Sequence, residues 1–383
     1  MSIGYAARIS HAPMAGLMGV GVFWGAFAAY IPDFKQRISA TDSELGLALL
    51  GSALGGIVAM YLGPRLAKVL GPKMLPVGAW LLALAFFYPL LAESVPTFAI
   101  ALFGMGASVS VLDVGSNMRI SDLEERHGLH LMNLDHAMFS FAFAASALVV
   151  SLARRGGWPP ETLFPFLSVV LIGLSLLMFE REGWHAAPEA PVGAGYGGLW
   201  GAVLPVGFVL FLAFVCENAT DSWSALHIER TLGGPAGDGG LGPMMLGLTM
   251  GFGRLSGQFA AQRLGEAGLI FWSAAVGVVG AVLIAAAPTP LVAIVGVGLL
   301  GLGVAVTVPS ANSILGKLVR ADQRGYAISR AWMIGFTGFF IGPTIMGQIA
   351  QIFGLRASFF CVAILMALIL PLVWSLKRHE PAG

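Results

Sequence analysis

The chain has 383 residues, 57% of them hydrophobic and 11% charged, with a formal net charge of +1 and a mean hydropathy of +0.83. Soluble domains carry about 25% charged residues, so apolar surface on this scale has to meet membrane lipids instead of water. The near-zero net charge excludes nucleic acid as a partner.

A hydrocarbon layer of ~30 Å takes about 20 helical residues to cross. Six stretches of that kind precede residue 180, at 13–31, 45–62, 74–92, 96–118, 132–152 and 162–179. The first starts near Met14 and reads as a true span, with no cleavable signal ahead of it. Residues 180–198, EREGWHAAPEAPVGAGYGG, are rich in Pro, Gly, Ala and charge and read as a cytoplasmic linker. Six more stretches follow, at 199–222, 242–262, 268–287, 290–312, 327–350 and 355–376. The expected fold is therefore an all-α membrane protein of twelve transmembrane helices. It divides into an N-terminal half (1–179), the linker and a C-terminal half (199–383). Cys216 and Cys361 lie in apolar runs without metal-ligand spacing, and read as packing residues, not as a disulfide or a metal site.

Lys and Arg set the orientation. With both termini inside, the inner side holds 15 of these residues, Arg181, Arg254, Arg330 and Arg378 among them, and the outer side holds six. Those six are Lys35, Arg37, Arg154, Arg155, Arg230 and Arg356, and the Arg154–Arg155 pair is the clear exception to the bias.

The two halves echo each other. GPRLAKVLG (Gly63–Gly71) after the second span matches GQFAAQRLG (Gly257–Gly265) after the eighth, at an offset of 194. VSVLDVGSN (Val109–Asn117) in the fourth matches VAVTVPSAN (Val304–Asn312) in the tenth, at an offset of 195. Parallel six-helix repeats of this kind place a binding site between them near the bilayer midplane.

The segments after spans two and eight, read as short basic loops, resemble the loop signature G-x-x-x-D-R-x-G-R-K of the major facilitator superfamily. Here the glycines are one residue further apart, no acid stands at the Asp position, and Lys68, Lys73 and Arg263 keep the basic character. A bacterial sugar-permease-like branch, related to fucose permeases and to proteins assigned to rhizopine uptake, is resembled more widely. DVGSN (Asp113, Asn117), Glu124, LMNLDHAMFS (with His136), ENATDSWS (Glu217, Asp221, Trp223), MGFGRLSG (Arg254) and GFTGFFIGP carry this likeness. The resemblance implies an inner-membrane, multi-pass transporter for a small polar solute of the sugar or inositol class.

Ionisable side chains at membrane depth are costly and persist where they find partners in the bundle interior. Counted from Trp200, Glu217 falls roughly 25 Å from the inner face, in the outer half, with Asp221 one turn beyond on the same face. Such a pair holds a proton when mutual repulsion favours one neutral acid; otherwise both are simply wet at the end of a span. Trp223 reads as an interfacial anchor or a stacking surface for substrate. Asp113, Asn117, His136 and Arg254 fall in the inner half and read as solute-binding or gating residues, or as static interhelical glue. Asp135 and Arg330, at repeat-related positions, read as an inner gate. Asn312 and the mid-depth Trp24 complete the candidates for solute contact; the plainer reading is a backbone hydrogen bond at a helix end for Asn117 and Asn312, and core packing for Trp24. The Phe208–Phe211–Phe214 face reads as helix packing.

No Walker loop, HExxH or usable G-x-S-x-G is present, so no enzymatic activity and no cofactor are expected. The reading is a monomeric secondary transporter working by alternating access, coupled to protons through Glu217 first and Asp113 second. Drug or metabolite efflux on the same fold is the alternative, and it is disfavoured because span five, FAFAASALVV, lacks the Gly-Pro step of such antiporters. A non-transporting ligand sensor is the alternative from another class, and no signalling domain is appended to support it.

Overall fold

A computed structural model describes residues 3–180, 199–320 and 323–377. The expected linker from residue 181 onward, with Arg181, and the C-terminal Arg378 lie outside the described residues. Those described form helices and turns with no strand. In chain order the helices are α1 (Ile3–Ile9), α2 (His11–Arg37), α3 (Asp42–Leu70), α4 (Met74–Ala85), α5 (Val95–His127), α6 (Met132–Arg155) and α7 (Pro160–Ser175). They continue as α8 (Trp200–Leu226), α9 (Leu241–Leu264), α10 (Glu266–Ala286), α11 (Pro290–Ala305), α12 (Thr307–Leu318) and α13 (Arg324–Lys377). Ten described stretches are long and apolar enough to cross a membrane. One of them, 53 residues long, breaks at Gly354 (φ 83°) into two arms, and the 24-residue α9 adds a further crossing.

Several boundaries differ from the sequence expectation, each for a local reason. The supposed basic loops are helical. Gly63–Leu70 completes α3 and Gly257–Leu264 completes α9, because Leu, Ala, Lys and Arg favour helix. What stops both helices is the second glycine of each repeat: Gly71 (φ 51°) and Gly265 (φ 69°) adopt positive φ, which costs glycine little. The tenth crossing is broken between α11 and α12 at Val306. Pro309 has no N–H for the helix ladder and its ring crowds the carbonyl of residue 305. The seventh crossing runs past 222, through Leu226 and on through a π-helical turn, His227–Thr231. Of the two free cysteines, Cys216 is buried, with its Sγ 3.7 Å from the Val362 carbonyl oxygen.

Packing follows the repeat. In the first six crossings α2 lies on α6 and α3 on α5; in the second six, α8 lies on α13 and α9 on α11. Between the groups the main contacts are α6 on α9 and α3 on the first arm of α13, two pairs that a twofold pseudo-symmetry exchanges. At the α3–α13 contact, backbones touch. A Cβ on Gly46 would lie 3.1 Å from Gly347 Cα, and one on Gly347 would lie 2.6 Å from the Asp42 carbonyl. Thr344 Oγ1 donates to the Gly46 carbonyl (2.8 Å) and Gln348 Nε2 to Ser43 Oγ (2.6 Å). Thr41 and Glu44 form a capping box that starts α3 and sets Asp42 in its first turn. With the turns after α2, α6 and α8, this contact makes the sealed end of the bundle.

Gly347→Leu is expected to wedge α3 from α13 at the sealed end. The readout is labelling of a Ser43→Cys reporter by a membrane-impermeant thiol reagent, which should rise several-fold; unchanged labelling would show that the glycine contact does not hold the seal.

Candidate functional site

Four helices bring polar side chains together inside the bundle. Asn117 of α5 donates its Nδ2 to the Asp113 carbonyl one turn back (2.9 Å), which leaves its Oδ1 to accept from His136 Nε2 of α6 (3.0 Å). An amide oxygen only accepts, so His136 carries its proton on Nε2. The His136 carbonyl and Ser140 Oγ in turn accept from Arg254 Nη1 of α9, at 3.2 and 2.6 Å. Arg254 Nη2 stands 3.8 Å from Glu217 Oε1 of α8. One turn further along α8, Asp221 Oδ1 is buried with no hydrogen-bond partner among the described residues. Asp113, Asn117, His136, Glu217, Asp221 and Arg254 are all half-buried, so the polar line borders a space and is not sunk in the core. Arg254 is the pivot. It bonds across to α6 of the first group of helices while standing beside an acid of its own group.

The predicted depths are corrected by this contact. Glu217 stands 3.8 Å from Arg254, so the two lie closer in depth than opposite halves of the membrane would put them. Because the seventh crossing extends from Trp200 to Thr231, Glu217 lies ~25 Å from one end and ~21 Å from the other. The same extension overturns the reading of Asp221 as a wet residue at a span end.

Other predicted residues fall elsewhere. Trp223 is fully buried, and its Nε1 donates to the Pro343 carbonyl (3.2 Å) beside the Gly46–Gly347 contact. It is a strut within the second six helices and neither an interfacial anchor nor a free stacking surface. Trp24 is half-buried and edge-on to Phe23 (5.7 Å) and Phe27 (5.8 Å). Asn312 Oδ1 accepts from Trp332 Nε1 at 3.0 Å. Asp135 and Arg330 are not brought together. Asp135 is buried and accepts from Ser10 Oγ (2.8 Å), on the face of α6 turned to the N-terminal segment, whereas Arg330 lies over the Tyr326 ring at 4.6 Å.

The residues that sequence reasoning missed form a lattice at the sealed end. Arg230, in the π-helical turn, grips both oxygens of Asp42 at 2.5 Å, and Lys35 adds a third contact at 3.3 Å. Glu229, its neighbour, accepts from both Nη atoms of Arg154 (2.5 and 3.0 Å) and from the backbone N–H groups of Gly237 and Gly239 (3.0 and 3.1 Å). Arg154 also pairs with Asp33, and Arg155 with Asp238 at 2.8 Å. Ser151 Oγ donates to the Gly237 carbonyl (2.7 Å). Arg37 pairs with Glu161, and Arg356 donates to the Ala285 carbonyl (3.1 Å). All six basic residues expected on the outer side are thus engaged, and Arg154, Arg155 and Arg230 bridge the two groups of helices. The signal in the sequence was the Arg154–Arg155 exception itself, read together with Asp33, Asp42, Glu229 and Asp238 near the same ends.

The family model described as Major Facilitator Superfamily matches residues 14–299 and 206–383. Among curated proteins, an uncharacterised MFS-type transporter of Yersinia pestis is 29% identical over 348 residues, 90% of each chain. Membrane protein MosC of Rhizobium meliloti is 27% identical over 353 residues, 90% of this chain and 84% of that one. Among solved structures, a D-xylose-proton symporter superposes with a TM-score of 0.76 at 16% identity, covering 99% of this chain and 98% of that one. The nucleoside transporter NupG gives 0.70 at 12% identity, over 99% of each chain.

Glu229→Gln is expected to weaken the closed lattice by about 1–3 kcal/mol, since it removes the charge from a hydrogen-bonded pair that is largely shielded from solvent. With Ser43→Cys and Gln348→Cys as a cross-linking pair, in a background with Cys216 and Cys361 replaced by alanine, the cross-link yield should fall. An undiminished yield would mean that the Arg154–Glu229 pair does not contribute to closure.

Proposed function

The chain belongs to the major facilitator superfamily, and from that premise we propose that it is a proton-coupled secondary transporter for a small polar solute of the sugar or inositol class. The two six-helix halves, 1–179 and 199–383, rock about the mid-depth site. The sealed end faces outward and both termini lie in the cytoplasm, in keeping with the Lys and Arg bias of the sequence, so the conformation described here opens inward. The bacterial inner membrane is the location that fits this arrangement.

The observation that carries the reading is the divided loyalty of Arg254. Its Nη1 is 2.6 Å from Ser140 Oγ in the opposite half, and its Nη2 is 3.8 Å from Glu217 in its own. With a proton on Glu217 the guanidinium has a stronger acceptor across the interface and holds α6 to α9. When the proton leaves, the carboxylate draws Arg254 back, because a charge-assisted pair outcompetes neutral acceptors where the dielectric is low. Contact between the halves at mid-depth then loosens and the bundle is free to rock. Asp221, a turn away, sets a second carboxyl beside Glu217, and its Oδ1 has no hydrogen-bond partner among the described residues. Asp113 and Asn117 extend the polar line to the first half, and the solute bridges the two. No ATP site is needed: the free energy comes from coupling solute and proton to the same rocking step.

In proteoliposomes, an inward proton gradient should drive accumulation of a transported polyol. Glu217→Gln should abolish accumulation against a gradient, by about tenfold or more, equivalent to ~1.4 kcal/mol of lost coupling, while counterflow exchange persists. Uptake indifferent both to the gradient and to Glu217→Gln would sink the proton-coupling proposal.

A further inference from the structure

The sealed end holds a cavity of about 630 Å³ that the transport reading does not use. Its size falls in the range of small-molecule sites. One wall belongs to the first half and carries Lys35, Gln36 and Ser39, at and just beyond the end of α2. The other belongs to the second half and carries Glu229 and Arg230 of the π-helical turn, with Ala236 of the loop that follows. The cavity therefore straddles the boundary between the halves, beside the lattice that ties them.

The wall carries positive charge that the protein does not match at the cavity itself. Lys35 and Arg230 share one carboxylate, Asp42, which does not line the cavity. Among the described residues, Lys35 places two of its three N–H groups, on the Ala40 carbonyl (2.6 Å) and on Asp42 (3.3 Å). Arg230 places two of its five, both on Asp42, and its side chain is still 43% exposed. Glu229, the acid on the wall, is already occupied by both Nη atoms of Arg154 and by the N–H groups of Gly237 and Gly239. Asp33, the acid that balances the lattice as a whole, is paired with Arg154 as well. The side chains of Gln36 and Ser39 are exposed and make no hydrogen bond among the described residues. The cavity thus offers N–H donors of two cations beside a primary amide and a hydroxyl. A guanidinium fork and an ammonium suit the oxygens of an oxyanion. An inorganic ion would leave most of the volume empty, whereas a carboxylate on a hydroxylated body also gives Gln36 and Ser39 partners.

We propose that this cavity binds a small hydroxylated carboxylate, and that the bound anion ties α2 to the π-helical turn and keeps the sealed end shut. The binding stands on the cavity alone; its effect on transport rests on the reading that the halves part at this end. A ligand that needs both walls binds the sealed conformation only and draws the population toward it. The anion is then an inhibitor acting from outside, at a place separate from the polar line.

The test begins with thermal unfolding of the purified protein in D-glucuronate and in D-gluconate, with sodium chloride at equal ionic strength as the control for screening. At least one of the two acids should raise Tm in a saturable way that chloride does not reproduce. Ala236→Glu, which sets a tethered carboxylate on the wall, should weaken that response about tenfold. Gln36→Ala and Ser39→Gly should each weaken it several-fold; the φ of 50° at Ser39 suits glycine, so the second change removes the hydroxyl without straining the turn. None of these three side chains takes part in the ion-pair lattice, so a lost response is not a lost seal. In right-side-out vesicles, the same acid supplied outside should slow uptake of the transported polyol even when the polyol is saturating, and Gln36→Ala should relieve the inhibition. No shift from either acid, a shift that chloride matches, or a shift unchanged in all three variants would overturn the cavity as a site. Binding that leaves uptake unaltered would overturn the closing action and leave the transport reading standing. A protein that takes up no solute would fail the transport reading, while the Tm comparison still decides the cavity.

Discussion

A guanidinium at the depth of the bilayer core is far less well solvated than one in bulk water. Placing one there costs about 2.5–3.5 kcal/mol on insertion scales, and the cost is offset only where protein groups accept its hydrogen bonds. Arg254 meets this constraint with a carbonyl and a hydroxyl from α6 and a nearby carboxylate from α8. The arrangement joins three helices and both halves of the bundle through one side chain. A residue held by partners on two bodies is sensitive to the relative position of those bodies, and it responds to any change of charge on one partner. The same constraint that makes the arginine costly therefore makes it a natural pivot.

The sealed end solves the converse problem. Its charges lie near water, where an exposed ion pair stabilises by about 0–1 kcal/mol, yet Asp42, Arg154 and Glu229 are shielded and shared. Asp42 takes two cations, and Glu229 takes one cation and two backbone N–H groups. The π-helical turn that follows α8 sends Glu229 toward α6 and Arg230 toward α3, so two successive residues of opposite sign hold two helices of the other half. Below them Trp223 braces the backbone contact of Gly46 with Gly347. Packing and charge act on the same surface, and both have to yield before the end can open.

Much of this fold is legible in residue order because lipid imposes a simple rule, in which apolar length becomes a crossing. The twelve crossings and the repeat offset follow from it. What the rule does not convey is where a helix stops once polar residues appear. Ending the seventh span at 222 displaced Glu217 from the centre to the outer half, and only the continuation through Thr231 restores it. Nor does position along a helix reveal direction around it. Asp135 and Arg330 occupy matching places in the two repeats, but one turns to Ser10 and the other to Tyr326. The Arg154–Arg155 exception was visible as an anomaly of charge bias; its partners, 75 to 121 residues away in sequence at Glu229 and Asp33, are set by topology alone.

The repeat clarifies why the acid–arginine pair of the proposed switch belongs to one half. At an offset of 194, Glu217 corresponds to Phe23 and Arg254 to Met60; at 195, Ser140 corresponds to Gly335 and Asp113 to Val308. The second half thus holds the acid–arginine pair at positions where the first has apolar side chains. The first half holds the neutral acceptor and an acid at positions where the second has none. Two identical halves would present the same groups to each other and give an arginine no reason to prefer one side. Complementary placement of the polar residues in opposite repeats leaves a scaffold symmetric in its packing and asymmetric in its charge. In the proposed mechanism, rocking needs the first property, because both end states must be of similar energy, and coupling needs the second, because a proton has to favour one of them.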